Sequence, residues 1–266
     1  MMRAVAETTE LQALAERAAR AAGALLRERV GSAATGLAYK SSATDPVSDA
    51  DRDAEAEILR LLRAERPDDA VLGEEGTASG GSSGLRWVVD PLDGTVNFLY
   101  GLHAFAVSIA CEDEQGTLVG VVHQPLTGET FTAVRGGGAR LDGVPLAVNR
   151  PESLARAHVA TGFSYEPERR VLQGALVARL LPQVRDVRRA GSAALDLAWV
   201  ACGRLDAYYE LGLIDWDWAG GALLVSEAGG SVRRLRAAGG LPAALVAGAD
   251  ALVDALAAQL PQLEDR

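Results

Sequence analysis

Cysteine and histidine are scarce in this chain, which has 2 cysteines and 3 histidines among its 266 residues. Two cysteines cannot build a disulfide framework, and Cys111 and Cys202 lack the paired spacing of a zinc site. The Glu-Asp-Glu run after Cys111 would raise the pKa of its thiol, which argues against a cysteine nucleophile. The histidines have no serine or aspartate partner at a recognisable catalytic spacing. We therefore expect two buried thiols in a reducing cytosol and structural roles for the histidines.

Positive charge is also in short supply, because 26 basic residues face 36 acidic ones and the net charge is -10. No run of Lys or Arg concentrates positive charge, so the phosphate backbone of a nucleic acid would be repelled. No apolar run approaches the roughly 18 residues that a membrane span needs. Glu7, Glu10 and Glu16 interrupt the N-terminus where a signal peptide would be apolar. These observations predict a cytoplasmic protein that binds neither nucleic acid nor membranes.

The remaining composition, 48% hydrophobic and 23% charged, is typical of a globular protein. Apolar residues at helical spacing, with Thr9 and Gln12 as a capping box, predict a first helix. After a polar segment at residues 40–53, a second amphipathic helix runs from Ala54 to just before Pro67, and residues 69–73 read as a strand. The Gly/Ser-rich residues 76–84 predict an exposed loop between strands or, alternatively, a mobile flap.

The pattern changes to β after Trp87 and to alternating strands and helices after Pro151. Residues 87–134 contain four runs rich in Val, Ile, Phe and Thr, and residues 135–148 predict a hairpin. We therefore expect an α+β half (residues 1–150) followed by an α/β half (residues 151–266), which together form one compact unit. The second half contains strand 157–163, helix 168–181, strand 184–190, helix 192–202, strand 206–211, helix 216–228 and strands near Ser231 and Ala244.

Four acidic motifs stand at the ends of apolar elements: DPVSDAD (45–51), GEEG (73–76), DPLDGT (90–95) and DWDW (215–218). In an open α/β fold, strand ends and helix starts converge on one crevice. Several carboxylates gathered there repel one another unless cations neutralise them. Mg²⁺ prefers carboxylate oxygen and water, so the joint pattern predicts a magnesium site.

The DPLDGT motif has the composition of a turn that can serve metal and phosphate together. Pro91 restricts the backbone and removes a donor, so Asp90 and Asp93 can face one point while the Leu92 carbonyl stays free. Gly94 permits a tight turn, and Thr95 opens a helix whose unpaired amides suit a phosphate. The chain also lacks the Gly-x-x-x-x-Gly-Lys-Ser/Thr phosphate loop, which leaves attack by a metal-bound water.

Each acidic motif has a structural alternative when it is considered alone. Ser48 or Asp49 could cap the second helix, and the DWDW aspartates could cap a later one. The two glutamates of GEEG could be solvated, and DPLDGT could be an ordinary turn. The DADRD segment resembles the start of a calcium loop, but Ala54 and Arg60 occupy its glycine and glutamate positions, so that motif fails.

GEE, WVVDPLDGTVNF and WDWAGGALLVSEAGG occur in the order typical of the inositol monophosphatase family, a group of Mg²⁺-dependent, lithium-sensitive sugar phosphatases, and the chain resembles it from about residue 40 to 230. The resemblance implies a five-layer α/β/α/β/α sandwich, two or three Mg²⁺ ions per site and a homodimer. It also implies that the metals are held by Glu74, Asp90, the Leu92 carbonyl, Asp93 and Asp217.

The same resemblance implies the roles of the remaining site residues. Thr95 and Asp51 form a hydrogen-bonded pair that, with Glu74, orients the attacking water. RRAGSAALDL and DAYYELGLIDWD resemble the substrate-facing segments, in which Glu210 accepts a sugar hydroxyl. Val96 and Trp218 depart from the family pattern without removing a ligand, and both could reshape the pocket. The implied substrate contacts are Gly94, Thr95, Gly191, Ser192, Ala193 and Glu210.

The function expected from this resemblance is hydrolysis of a small polyol phosphate, with inositol 1-phosphate as the leading substrate. The competitors are fructose 1,6-bisphosphate, histidinol phosphate and 3'-phosphoadenosine 5'-phosphate. A bisphosphate would need a second basic cluster, and Arg188 with Arg189 is the candidate in the sequence. A non-catalytic binding or regulatory protein that kept the fold is the alternative from another class.

Overall fold

The structure, a computed structural model, describes residues 2–31, 38–39, 46–238, 241–260 and 264–265. Residues 40–45 of the predicted polar segment, including Asp45 of the first acidic motif, lie outside the described residues. The described part contains seven α-helices, which are α1 Met2–Arg29, α2 Asp49–Glu65, α3 Thr95–Leu99, α4 Pro167–Leu180, α5 Ala193–Ala201, α6 Asp215–Glu227 and α7 Asp250–Ala258.

Sixteen strands are assigned within those ranges, most of them in two sheets. The strands are β1 Ala38–Tyr39, β2 Pro46–Val47, β3 Ala70–Gly73, β4 Ala78–Ser79, β5 Arg86–Asp93, β6 Ala106–Asp113, β7 Gly116–His123, β8 Thr130–Val134, β9 Gly138–Leu141, β10 Val144–Pro145, β11 His158–Thr161, β12 Asp186–Arg188, β13 Ala207–Leu211, β14 Ser231–Arg236, β15 Ala244–Gly248 and β16 Glu264–Asp265.

The two large sheets and the helices stack into five layers, as predicted. One sheet has the order β10-β9-β8-β7-β6-β5-β3-β4 and the other the order β12-β11-β13-β15-β14-β16. Helices α1 and α2 cover the outer face of the first sheet, and α5 and α6 lie between the sheets. Helices α4 and α7 cover the outer face of the second sheet. The α/β/α/β/α sandwich is therefore confirmed.

Amphipathic periodicity explains how the outer helices pack. The predicted apolar stripe of α1 is buried against α2 and the first sheet, except that Leu25 is only partly buried. Ala54, Ile58 and Leu62 bury the matching face of α2. Residues that recur every three or four positions share one helix face, so both helices bury a single stripe.

Two predictions about helices were incomplete. The capping box predicted at Thr9 does not start α1, because the helix begins at Met2 and Thr9 lies inside it. Residues 2–8 include good helix formers, and they extend the helix beyond the local capping signal. Helix α7 was missed, because its nine residues follow β15 without a capping side chain. No helix in the described ranges is long and apolar enough to cross a bilayer.

A close backbone approach sets the position of α6 above the first sheet. A Cβ atom on Gly120 of β7 would lie 2.6 Å from the carbonyl oxygen and 3.0 Å from the Cα of Gly220 in α6. Real Cβ contacts are not that short, so α6 can rest on β7 only because residue 120 has no side chain. This contact matters for the site because Asp217 belongs to the first turn of α6.

We predict that Gly120→Ala destabilises the protein by about 1–3 kcal/mol, because the added methyl group overpacks a backbone contact that cannot rotate away. Chemical denaturation with near-UV circular dichroism would measure the change. Gly174→Ala is the matched control, since Gly174 lies in α4 and a methyl group added there would meet no heavy atom within 4 Å. That control should stabilise by about 0.5–1 kcal/mol. Equal effects of the two substitutions would contradict the close packing.

Candidate active site

One cavity of about 450 Å³ collects most of the acidic side chains that the sequence singled out. It lies where β5, α3, α5, β13 and α6 come together, and its wall is formed by residues from both sheets. Asp51 and Ser192 stand behind the wall and contact residues that line it. The expected residues that line it directly are Glu74, Asp90, Leu92, Asp93, Gly94, Thr95, Gly191, Ala193, Glu210 and Asp217.

The DPLD residues end β5, where an irregular register between Asp90 and Asp93 turns them toward the cavity. Asp90 Oδ1 accepts a hydrogen bond from the Leu92 amide at 3.0 Å. Gly94 has φ +95°, and a Cβ there would lie 2.9 Å from the Ala104 carbonyl oxygen, so this position requires glycine. Helix α3 then starts at Thr95, as predicted.

Thr95 is paired with Asp51 across the cavity wall. The Thr95 hydroxyl lies 3.0 Å from Asp51 Oδ1 and 3.1 Å from the Leu92 carbonyl oxygen. The other carboxylate oxygen of Asp51 accepts hydrogen bonds from the Ser48 amide at 2.8 Å and from the Ser48 hydroxyl at 2.6 Å. Ser48 is also the N-cap of α2. The capping alternative for this motif is therefore correct for Ser48, while Asp51 serves both the cap and Thr95.

Asp93 joins the first sheet to the start of α5. Its Oδ2 accepts hydrogen bonds from the Ser192 hydroxyl and from the Ala194 amide, both at 2.6 Å. Ser192 also caps α5 by accepting a hydrogen bond from the Leu195 amide. A carboxylate at a helix N-terminus is stabilised by unpaired amides and the helix dipole, so this contact holds Asp93 in place.

Asp217 approaches the cavity from α6. One carboxylate oxygen accepts a hydrogen bond from the Ile214 amide at 2.7 Å, and Ile214 is the N-cap residue of α6. The capping alternative is correct here too, and the same side chain lines the cavity. Asp215, its partner in DWDW, is instead 40% exposed and lies 3.7 Å from Arg86. The structure thus separates two aspartates that the motif leaves equivalent.

Burial raises the pKa of each of the clustered aspartates. The pKa of Asp90 is raised well above 3.8 by burial, by the negative charges of Glu74 and Asp93, and by a hydrogen bond with Glu74. Burial raises the pKa of Asp93 to about 6 against the lowering effect of its hydrogen bonds. The pKa of Asp217 is raised by burial, with Asp93 and Glu74 adding to the shift. The cavity therefore concentrates carboxyl groups whose charged forms are disfavoured by burial and by one another.

The donor chemistry of this cluster fits a hard divalent cation such as Mg²⁺. Its donors are carboxylate oxygens and one backbone carbonyl, with the carboxyl groups destabilised in their charged form. Within the described ranges no three acidic, histidine or cysteine side chains already form a metal-binding cluster. Asp93 and Asp217 instead accept hydrogen bonds from neighbouring amides, and Asp90 is hydrogen-bonded to Glu74. A carboxylate has two oxygens, so a side chain that accepts from an amide with one of them can also contribute to a cation site.

Glu210 forms the opposite wall of the cavity. It is partly buried, and Glu210 Oε2 accepts a hydrogen bond from the Tyr208 hydroxyl at 2.7 Å. Burial raises its pKa to about 7, while the hydrogen bond with Tyr208 and the charge of Arg189 oppose that shift. A Cβ on Gly162 would lie 1.9 Å from the Glu210 carboxylate, so only glycine leaves room for this side chain.

Several residues of the wall were missed by the sequence reasoning. Arg169 of α4 lines the cavity, as do Gly162 and Trp216. Of the two arginines that the sequence offered as a second basic cluster, Arg189 lines the cavity. Arg188 is not among the described lining residues and is paired with Asp186 outside the cavity. Val96 and Trp218 do not line it either, and Trp218 packs beneath the guanidinium of Arg234. Among these residues, only Gly162 carries a signal in the sequence, because it is a glycine that directly follows strand β11.

Comparison with known proteins agrees with this architecture. An extragenic suppressor protein suhB from Bartonella henselae has the same fold, with a TM-score of 0.87, 36% identity, and coverage of 94% of this chain and 98% of that one. An inositol-1-monophosphatase from Mycobacterium leprae is 42% identical over 274 residues, covering 94% of this chain and 93% of that protein. A Nus factor SuhB from Haemophilus influenzae is 42% identical over 221 residues, covering 82% and 83%.

The fold thus agrees with that of the SuhB structures to which the chain is similar. The sequence model of the inositol monophosphatase family matches residues 7–264. The chain belongs to the inositol monophosphatase family, and this membership supports phosphatase activity.

We predict that Mg²⁺ stabilises the protein more at pH 8 than at pH 5. A carboxyl group whose pKa is raised on folding stabilises the protein at low pH, and that stability is lost as pH rises through the folded-state pKa. For Asp93 the loss falls between pH 3.8 and about 6, and for Glu210 between pH 4.5 and about 7. Above that window Asp93 and Glu210 are charged, so the cavity attracts a cation more strongly.

Thermal unfolding in EDTA and in excess Mg²⁺ at both pH values would measure this difference, with NaCl matched for ionic strength as the control. The melting temperature in EDTA should fall as pH rises through the window, and Mg²⁺ should restore it at pH 8. An equal effect of Mg²⁺ at pH 5 and pH 8 would contradict the assignment.

Proposed function

We propose that the protein hydrolyses a small polyol phosphate, with inositol 1-phosphate as the leading substrate, by in-line attack of water on phosphorus. The observation that carries this proposal is the meeting of Glu74, Asp90, Asp93 and Asp217 in one cavity, although they come from segments far apart in the chain. Buried carboxylates at this density are costly unless a cation compensates them. Family membership supports the phosphatase class.

The residues proposed to hold two or three Mg²⁺ ions are Glu74, Asp90, the Leu92 carbonyl, Asp93 and Asp217. When bound, Mg²⁺ lowers the pKa of water and stabilises the negative charge of a leaving oxygen. Bound cations would also reverse the local field, so a protein with net charge -10 could accept a dianionic monoester.

Thr95, Asp51 and Glu74 are the proposed catalytic residues. The carboxylate of Asp51 can accept a hydrogen bond from the Thr95 hydroxyl. The Thr95 oxygen can then accept a hydrogen bond from water. Asp51 is itself held by Ser48, so the hydroxyl is oriented before substrate arrives. Glu74 lines the cavity and would contact the same water. Holding the water close to phosphorus in the right orientation favours direct attack, so the reaction needs no covalent intermediate.

The proposed substrate contacts lie on the two facing walls. Gly94 and Thr95 would contact the phosphoryl group, and Gly191 and Ala193 would contact the ring from the start of α5. The predicted contact through Ser192 is not proposed, because Ser192 stands behind the wall and donates to Asp93. Glu210 would accept a hydrogen bond from a ring hydroxyl, and its charged form accepts the stronger one. With a pKa of about 7, that form is well populated at and above neutral pH.

A bisphosphate is the second candidate substrate, and the structure changes which arginine could bind its second phosphate. Arg188 lies outside the cavity, whereas Arg189 and Arg169 line it. Arg169 is paired with Glu166, with 2.8 Å between Arg169 Nε and Glu166 Oε2. The positive charge of Arg189, by contrast, acts on Glu210 and lowers its pKa. A second phosphate could be recognised there through a guanidinium.

A non-catalytic role is the competing function from another class. Curated relatives of similar identity include proteins named inositol-1-monophosphatase and Nus factor SuhB. The division at residue 150, the homodimer, lithium sensitivity, cytoplasmic location and lack of nucleic-acid binding also stay predictions.

Phosphate release from a panel of inositol 1-phosphate, fructose 1,6-bisphosphate, histidinol phosphate and 3'-phosphoadenosine 5'-phosphate tests the function directly. Absence of Mg²⁺-dependent turnover on every compound would favour the non-catalytic role.

We predict that Asp217→Asn lowers phosphate release from inositol 1-phosphate by at least about 100-fold, the loss typical of strong damage to a metal site. Asparagine can still accept the Ile214 amide, so α6 should keep its cap. Asp215→Asn is the matched control from the same motif and should retain turnover within about threefold, since Asp215 is partly exposed. Similar losses in both variants would argue against a metal role for Asp217.

We also predict that Arg189→Gln separates the two substrate candidates. If a second phosphate binds there, the KM for fructose 1,6-bisphosphate should rise at least about tenfold, because loss of a charged hydrogen bond costs about 1.5–3 kcal/mol. The KM for inositol 1-phosphate should change much less. Arg188→Gln is the control, because that side chain is paired outside the cavity. An unchanged KM for the bisphosphate would remove Arg189 from substrate recognition.

A further inference from the structure

Helix α2 carries a buried acid, Glu55, that the proposed mechanism does not use. Only 4% of the surface of Glu55 is exposed. Glu55 lies four residues after Asp51, so the two side chains project from the same face of the helix. Both are directed toward the active-site end of the first sheet, because Asp51 contacts Thr95 and Glu55 contacts the loop after β3.

Glu55 holds two sides of that loop at once. Its Oε2 accepts a hydrogen bond from the Glu75 amide at 2.9 Å, and its Oε1 accepts one from the Thr77 hydroxyl at 2.6 Å. A Cβ on Gly73 would lie 2.5 Å from Glu55 Oε2, so the loop backbone rests directly on the carboxylate. The absence of a side chain at residue 73 is what permits this contact.

The loop held in this way carries Glu74, one of the proposed metal ligands. Glu74 is anchored to β5 by its amide, which donates to the Val89 carbonyl at 3.1 Å. Its side chain lines the cavity and is hydrogen-bonded to Asp90. Glu55 is not among the described lining residues, so it can influence the cavity only through the loop.

We propose that Glu55 is a positioning residue that sets the location of Glu74 for Mg²⁺ binding. Through Asp51 and Glu55, one face of α2 would then position both Thr95 and Glu74, the two groups expected to orient the attacking water. The inference rests on the proposed function and adds a residue that has no contact with substrate or metal.

A carboxylate suits this role because it offers two acceptor oxygens to two donors. Glutamine keeps one oxygen for the Glu75 amide, and its amino group can donate to the Thr77 oxygen instead, since a hydroxyl both donates and accepts. Alanine removes both contacts and leaves the Glu75 amide without its side-chain acceptor. Glu55→Gln should therefore behave much like the wild type, whereas Glu55→Ala should not.

Isothermal titration with Mg²⁺ at pH 8 on the full chain tests the proposal without relying on turnover. Glu55→Ala should weaken Mg²⁺ binding about tenfold or more, the effect usual for groups that support a metal ligand. Thr77→Val removes one of the two contacts and should weaken binding less, while Thr77→Ser should preserve it. Glu57→Gln is the control on the same helix, because Glu57 is paired with Arg60.

An unchanged Mg²⁺ affinity in a folded Glu55→Ala protein, even with a lower melting temperature, would overturn the positioning role. If Glu55→Ala does not fold, Thr77→Val against Thr77→Ser decides the question, and equal affinities in that pair would overturn it. A wild-type protein that binds no Mg²⁺ would overturn the proposed function as well. Normal binding by the wild type and all variants would overturn this inference alone.

Discussion

The mutual repulsion of buried carboxylates is the constraint around which this active-site region is organised. Glu74, Asp90, Asp93 and Asp217 line one cavity, and burial raises the pKa of all three aspartates. A scaffold that forces like charges together must hold each of them firmly, because otherwise the side chains would turn toward water. The fold does so with backbone amides and hydroxyl groups, and the proposed Mg²⁺ would compensate the remaining imbalance of charge.

Three helices, α2, α5 and α6, supply that support. Helix α2 holds Asp51 through its own N-cap, α5 donates to Asp93, and α6 caps itself with Asp217. In each case one carboxylate completes a helix start and also faces or supports the cavity. Structural and functional interpretations of these acidic motifs are therefore compatible, because a carboxylate has two oxygens and can serve two partners.

Local sequence signals predicted much of this arrangement, and non-local contacts account for what they missed. The DPLDGT turn and the helix at Thr95 were predictable because, within six residues, Pro91 restricts the backbone and Gly94 permits the left-handed conformation of the turn. The existence of α7 was not predicted, because Ala249 at its N-cap has no capping side chain. The start of α1 was not predicted, because the capping signal at Thr9 lies inside the helix. Arg169 lies in an ordinary amphipathic helix, and nothing in its neighbours indicates that it lines a cavity.

The sequence by itself determined most of the order of helices and strands, the acidic motifs and the turn that carries Asp90 and Asp93, because these depend on neighbouring residues. Only the tertiary structure decided which acids meet. It placed Asp217 at the cavity and left Asp215 partly exposed, although both stand at the start of the same helix. It also set Glu55 against a loop some twenty residues away. Spacing along the chain cannot encode such contacts, because they form only when separate layers pack together.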